Sequence, residues 1–147
     1  MPLVFTYGPE TLQGRMYDRV GASSCLGGAL LHDYELVFDK PNVKTKGEGL
    51  PNLRPAEGKQ VFGVLFELTP QQVETYDGFY GGYGQKKLGV VPVGAETSRP
   101  VVAWVARRTQ AGLKPSALSV QRTVEGMEEN EADPAFIEAV KALEVLA

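Results

Sequence analysis

The sequence predicts an α+β fold, in which a small mixed sheet or barrel has helices packed outside it. Segments of alternating apolar residues, rich in valine, indicate about five strands. Three segments with helix-capping residues fall among them at unequal intervals, unlike the regular strand–helix alternation of a doubly wound sheet. At 147 residues and 43% hydrophobic content, the chain is long enough to bury the core of a single domain spanning residues 1–147.

The predicted strands follow in order along the chain, at residues 4–7, 30–38, 61–68, 87–93 and 101–106. In the second strand, the even-numbered residues from Leu30 to Phe38 are expected to share one face. In the third strand, Gly63 is expected to allow another part of the backbone to approach closely. Residues 40–59 are rich in glycine and proline and are predicted to form a long loop, a kind of segment that often carries function.

Each of the three predicted helices begins at a capping residue. The first begins after Thr69, has proline at its first position and glutamine three residues after the cap, and ends before Gly78. The second begins after Ser116 and buries an apolar face. The third begins after Asp133, which a proline follows.

Composition narrows the classes of function. A net charge of −3, from 15 basic and 18 acidic residues, gives no basic stripe, so we expect no nucleic-acid partner. One cysteine and one histidine exclude a structural zinc site, and we expect no metal and no cofactor. A single cysteine also fits a reducing compartment. The N-terminal residues do not resemble a signal peptide, and no apolar run is long enough to cross a membrane. We therefore expect a cytoplasmic protein, while the oligomeric state stays open.

Four segments carry a resemblance to a known family. Residues 5–12 (Phe-Thr-Tyr-Gly-Pro-Glu-Thr-Leu) resemble the tyrosine-glycine-serine-asparagine-leucine signature that opens the γ-glutamylcyclotransferase-like (AIG2-like) family. Residues 58–68 are similar to the central glycine- and valine-containing strand of that family. Residues 76–81 (Tyr-Asp-Gly-Phe-Tyr-Gly) fall where the family has "L-D-x-x-E-G". Tyr83 and the two lysines after it resemble the basic strand that follows. The order and spacing agree across nearly the whole chain.

The resemblance implies a small β-barrel flanked by helices, with a cavity between the first turn and the loop after the Thr69 helix. In family members this cavity holds a γ-glutamyl group. A glutamate acts there as general base and takes a proton from the substrate α-amine. The amine then attacks the γ-carbonyl, and 5-oxoproline forms as the amine or dipeptide leaves. The resemblance thus implies a small-molecule partner, such as a γ-glutamyl compound, bound in part by backbone N–H groups of the first turn.

This sequence departs from the family pattern on both sides of the implied site. Tyr80 occupies the position of the catalytic glutamate, and a phenol with an ordinary pKa of about 10 is a poor base at neutral pH. Pro9 occupies the position of the serine and has no N–H to donate. Glu10 follows it and would place a negative charge near an anionic part of the substrate. Each of these changes opposes the family reaction.

These departures leave three hypotheses for function. The first is a diverged protein that binds a small amine- or carboxylate-bearing metabolite in the family cavity. The second is an active cyclotransferase with a relocated carboxylate base, for which the candidates are Glu10, Asp77 and Glu48. The third is a protein-interaction scaffold. The candidate catalytic residues are Glu10, Asp77 and Tyr80, and the candidate substrate-binding residues are Tyr7, Gly8, Pro9, Thr11, Leu12 and Tyr83.

Two further features allow two interpretations each. Tyr76 and Phe79 could pack in the core or line a pocket together with Tyr80 and Tyr83. The pair Arg107 and Arg108 closes a predicted strand. It is interpreted as a solvated strand end, and binding of an acidic substrate is the alternative.

Overall fold

A computed structural model describes residues 1–147, and its five strands form a closed barrel in the order β1-β3-β2-β4-β5. The strands are β1 (Leu3–Thr6), β2 (Ser24–Pro41), β3 (Gly49–Glu67), β4 (Tyr83–Pro92) and β5 (Arg99–Ala106). Neighbouring strands are antiparallel except β1 and β5, which pair in parallel through Val4 and Val102 and so close the barrel. The predicted mixed barrel with helices outside is confirmed.

Four α-helices and one short 3-10 helix accompany the barrel. The 3-10 helix spans Gly8–Thr11, and the α-helices are α1 (Gln13–Val20), α2 (Pro70–Asp77), α3 (Ala117–Glu129) and α4 (Pro134–Lys141). The predicted caps are confirmed: Thr69 forms a reciprocal capping box with Gln72, and the side chains of Ser116 and Asp133 accept backbone N–H groups of α3 and α4. None of the helices combines the length and the apolar character needed to cross a membrane.

The hydrophobic residues form two clusters. One contains residues from all five strands and lies inside the barrel, where Phe5, Leu65 and Ala103 are almost fully buried. The other joins the outer face of the barrel to the helices, through residues such as Phe66 and Met127. Because strand side chains alternate between faces, β3 supplies both clusters and is buried on both sides over residues 61–66.

Three expectations about local structure were wrong. Residues 49–59 are not loop but the first half of β3, which pairs with β2 from Gly49 onwards. Helix α1 was not predicted, because the residue before it, Leu12, makes no side-chain cap. The even-numbered residues of β2 do not share one face: Leu30 packs against the helix-side cluster and Tyr34 against the interior cluster, and Asp33 between them has a φ angle of +63°.

At Gly63, strand β3 lies close to strand β1. A methyl group built on its Cα would overlap the carbonyl oxygen of Thr6 and the ring of Phe5, so the missing side chain provides the space that the Phe5 ring fills. We expect Gly63→Ala to lower the free energy of unfolding by about 1–3 kcal/mol, because β1 has to shift. Urea denaturation measures this change.

Gly14→Ala is the matched control, since no atom lies within 4 Å of the added methyl group. Its position in the first turn of α1 should keep the change within about 1 kcal/mol, in the stabilising direction. Equal effects of the two substitutions would contradict the close packing at Gly63.

Candidate functional site

A cavity of about 290 Å³ opens where the 3-10 helix, the start of β3, the loop after α2 and the first turns of α3 meet. We call it the site cavity. Its lining residues are Pro9, Glu10, Arg15, Arg19, Glu48, Leu50, Pro51, Phe79, Tyr80, Tyr83, Ser116, Leu118, Ser119 and Arg122. It lies at the place that the resemblance implied, between the first turn and the loop after α2.

The first turn is held tightly against β3 and α3. Gly8 has a φ angle of +63°, which favours glycine, and an added Cβ there would lie 3.1 Å from Pro51. The hydroxyl group of Thr11 donates to the carbonyl oxygen of Gly8 at 3.0 Å. Tyr7 is buried, and its hydroxyl group donates to the carbonyl oxygen of Trp104. These contacts leave Pro9 and Glu10 as the residues of the turn that face the cavity.

Glu10 carries a buried carboxylate that two arginines of α1 hold. One oxygen accepts from Arg15 Nε at 2.7 Å, and the other lies 2.8 Å from Arg19 Nη2. The two arginines stand four residues apart, so the helical period places both on the face that meets Glu10. The guanidinium group of Arg19 also lies over the ring of Phe79, 4.8 Å from its centroid. The carboxylate is therefore fixed with both oxygens occupied.

Tyr80 belongs to an aromatic cluster beside Glu10. Its ring stacks on Trp104 with centroids 5.4 Å apart and meets Tyr83 edge-on at 4.9 Å. Its hydroxyl group shares a hydrogen bond of 3.1 Å with that of Tyr76. Burial raises the pKa of Tyr80 well above 10, and the neighbouring Tyr76 and the charge of Glu10 raise it further. The phenol is therefore protonated at neutral pH and can donate a hydrogen bond.

Tyr83 closes the opposite wall of the site cavity. Its hydroxyl group donates to the carbonyl oxygen of Pro51 at 2.6 Å, which ties the start of β4 to β3. Burial raises the pKa of Tyr83, and the charges of Glu10 and Asp39 add to the increase. Both tyrosines of the cavity are thus neutral, and their rings leave the 290 Å³ open beside them.

Asp77 does not line the site cavity. Its Oδ1 accepts the indole N–H of Trp104 at 2.7 Å and the amide of Gln85 at 3.2 Å. These two hydrogen bonds, the one from Trp104 first, lower the pKa of Asp77. The carboxylate lies at the C-terminal end of α2 and anchors Trp104 under the aromatic cluster.

Two charged residues of the cavity have no ionic partner in the chain. Glu48, half-buried before β3, and Arg122, half-buried on α3, form no ion pair, although both line the same cavity. The backbone of Glu48 is fixed by hydrogen bonds to Thr45 and Asn42. The cavity therefore offers one free carboxylate and one free guanidinium group to a ligand.

The structure separates the sequence-predicted residues into two groups. Pro9, Glu10, Glu48, Tyr80 and Tyr83 line the site cavity. The others, Tyr7, Gly8, Thr11, Leu12 and Asp77, lie outside its lining and support it from behind.

Sequence reasoning missed the arginines of the cavity and Leu118 of its rim, whereas Phe79 had been named as a possible pocket residue. Arg15 and Arg19 carried a signal, the spacing of four residues after an acidic turn, but α1 had not been predicted. Arg122 and Ser119 lie on α3, more than thirty residues beyond Tyr83 in the sequence, and had no local signal. Phe79 does not pack in the core, since 53% of it is exposed at the rim. No three His, Cys, Asp or Glu side chains come together as metal ligands.

Comparison with solved structures relates this fold to known proteins. A structure described as gamma-glutamyl cyclotransferase superposes with a TM-score of 0.89 and 20% identity, covering 99% of this chain and 89% of the other. An uncharacterised protein from Homo sapiens gives a TM-score of 0.87 and 21% identity, covering 98% and 88%. An AIG2-like protein from Mus musculus gives a TM-score of 0.60 and 20% identity, covering 76% and 80%.

These likenesses establish a γ-glutamylcyclotransferase-like fold. No protein-family model matches the sequence, and no curated protein is significantly similar to it. The comparisons therefore support the fold, and the role of each cavity residue follows only from the geometry described above.

Acid titration tests the anchoring of Trp104 by Asp77. Because the pKa of Asp77 is lowered in the folded state, its contribution to stability is present above pH 3.8, the ordinary pKa, and is lost as the pH falls through the lower folded value. Trp104 is the single tryptophan, so its fluorescence reports on this bond. We expect an emission change below pH 3.8 that Asp77→Asn abolishes.

Asp18→Asn is the control, since Asp18 is exposed on α1 and forms no ion pair. It should leave the acid transition unchanged. An identical transition in wild type and Asp77→Asn would disprove the assignment.

Proposed function

We propose that this chain binds a small metabolite carrying an amine and a carboxylate in the site cavity, and that it has diverged from the reaction that forms 5-oxoproline. One observation carries this proposal. The resemblance of residues 76–81 aligns Tyr80 with the glutamate of the family pattern, and burial raises the pKa of its phenol well above 10. A protonated phenol cannot take a proton from an ammonium group, so the amine of a bound substrate stays non-nucleophilic.

Glu10 is poorly placed to replace the missing base. Both of its oxygens are occupied, by Arg15 at 2.7 Å and by Arg19 at 2.8 Å. To accept a substrate proton it would have to leave at least one charge-assisted hydrogen bond and expose an uncompensated arginine. Its role is structural: it holds Arg15 and Arg19 in the wall of the cavity.

The free charges of the cavity support recognition of an amine and a carboxylate. Arg122 can bind a carboxylate with two parallel hydrogen bonds, and Glu48 can accept the N–H groups of an ammonium. Since neither is paired within the chain, a ligand need not displace an internal partner. The hydroxyl groups of Ser116 and Ser119 line the same wall as Arg122.

The rim of the cavity favours a ligand with an apolar part beyond these charged groups. Phe79 and Leu118 are 53% and 50% exposed and both line the cavity. Covering exposed apolar surface contributes about 25 cal/mol for each Å². The cation–π contact with Arg19 holds the Phe79 ring in place at this rim.

An active cyclotransferase with Glu48 as a relocated base is the second candidate. It is favoured by one observation, the absence of an ionic partner for the half-buried Glu48 carboxylate in the cavity. A carboxylate that binds the substrate ammonium is also within reach of its proton. Asp77 is a weaker candidate, because both of its hydrogen bonds are structural and it lies outside the cavity lining.

Isothermal titration calorimetry with γ-glutamyl dipeptides, γ-glutamyl amines and free L-amino acids tests binding. For the tightest ligand of this panel, we expect Arg122→Gln and Glu48→Gln each to weaken binding about tenfold or more, because a charge-assisted hydrogen bond is lost. Glu57→Gln and Arg99→Gln are matched controls, since both residues are exposed, unpaired and outside the site cavity. If the two control substitutions weakened binding as much as Arg122→Gln and Glu48→Gln do, the proposal would be contradicted.

Release of 5-oxoproline from γ-glutamyl dipeptides, γ-glutamyl amines and glutathione tests for activity. We expect no release above the uncatalysed rate from the folded wild-type protein, because Tyr80 is protonated, both oxygens of Glu10 are held by arginines, and Glu48 binds the amine as an ammonium group. Glu10→Gln, Asp77→Asn and Glu48→Gln are measured alongside it.

Release by the wild type would overturn the proposed loss of activity. Its disappearance in Glu48→Gln, with folding intact by circular dichroism, would establish the relocated base. Tyr80→Glu is a further test, because it places a carboxylate at the position that the resemblance aligns with the family glutamate. Release of 5-oxoproline by this variant and not by the wild type would support the loss of the base.

A further inference from the structure

We propose that a second cavity, distinct from the site cavity, binds a phosphate group, either free or carried by a small molecule. This basic cavity has a volume of about 350 Å³ and is lined by Lys40, Pro41, Val43, Gly82, Arg107 and Arg108. It shares no lining residue with the site cavity. The inference therefore stands independently of the proposed function.

The charge of the basic cavity is unbalanced. Its six lining residues include three cations and no acidic residue, in a chain whose net charge is −3. None of the three cations forms an ion pair. Like charges that share one cavity repel each other, so an anion that enters it relieves this repulsion and gains the attraction of all three.

Lys40 is held in place for this role. Its ammonium group lies over the Tyr83 ring, 5.1 Å from the centroid. Beneath it, Gly82 has a φ angle of +83°, and a Cβ there would lie 2.9 Å from Lys40 Cε. A side chain at position 82 would push the lysine away, so glycine both adopts this turn and leaves room for the ammonium group.

Arg107 is fixed to the same turn. Its backbone N–H donates to the carbonyl oxygen of Gly82 at 3.0 Å, and its Nε lies 3.4 Å from the Cβ position of Gly84. Arg108 follows directly in the chain, after the last residue of β5. The three cations therefore lie at two strand ends, Lys40 at the end of β2 and Arg107 and Arg108 just after β5. Both ends meet at the turn that contains Gly82.

The number and type of cations favour phosphate over a carboxylate. Two guanidinium groups offer planar pairs of N–H donors, and an ammonium group adds a compact charge, which matches the several oxygens of a dianion. A carboxylate carries one charge and two oxygens, fewer than two guanidinium groups and an ammonium group can engage. A volume of about 350 Å³ also lies within the range of small-molecule sites and exceeds what one phosphate fills.

NMR titration of the full chain with inorganic phosphate, pyrophosphate and glycerol phosphate tests the proposal, at constant ionic strength set with chloride. We expect saturable shifts of the backbone amides of Gly82, Gly84 and Arg107. Lys40→Gln, Arg107→Gln and Arg108→Gln should each weaken binding by about tenfold or more. Tighter binding of glycerol phosphate than of inorganic phosphate would identify an esterified ligand, and the reverse order a free one; both support the site.

Two control variants distinguish phosphate binding in the basic cavity from nonspecific attraction to surface cations and from binding in the site cavity. Arg99→Gln removes an exposed, unpaired arginine at the other end of β5 and should leave phosphate affinity unchanged. Arg122→Gln, in the site cavity, should also leave it unchanged. Shifts that do not saturate, or equal weakening in Arg99→Gln, would overturn the proposal. Shifts centred on Arg122 would overturn it too, and would instead assign the anion to the site cavity.

Discussion

Trp104 connects the three parts of the molecule on which the site depends. Its indole N–H is bound by Asp77 at the end of α2, and its carbonyl oxygen accepts the hydroxyl group of Tyr7, just before the first turn. Its ring packs edge-on against Tyr76 and stacks on Tyr80. Because β5 carries this residue in the wall of a closed barrel, the loop after α2 and the first turn are both positioned relative to a rigid element. The place of Tyr80 in the cavity follows from this packing.

The acidic first turn depends on helix α1 for charge compensation. A buried carboxylate is costly unless it is paired, and Glu10 is paired twice by arginines that the sequence places only five and nine residues later. The same helix turns Arg19 toward Phe79 and so fixes one side of the cavity rim. The charge of Glu10 at the first turn is thus compensated locally, by residues of the helix that follows it.

The sequence predicted those features that depend on neighbouring residues. The caps at Thr69, Ser116 and Asp133 are local hydrogen-bonding patterns, and they mark the helices correctly. Residues 49–59 were missed as strand because their prolines and glycines lower β propensity, while pairing with β2, a distant segment, decides their structure. In the site, Pro9 and Tyr80 lie in segments that could be singled out by their resemblance to short motifs. Arg122 does not, since only the packing of α3 against the first turn brings it to the cavity.

The two cavities differ in the balance of their free charge, and this difference limits what each can bind. The site cavity offers one unpaired carboxylate and one unpaired guanidinium group, on Glu48 and Arg122, and suits a ligand that carries both signs of charge. The basic cavity offers only cations and suits an anion alone. Tyr83 links them, because its ring lines the first and supports Lys40 of the second. The Tyr83 ring therefore lies between two cavities whose free charges differ, one with both signs of charge and one with cations alone.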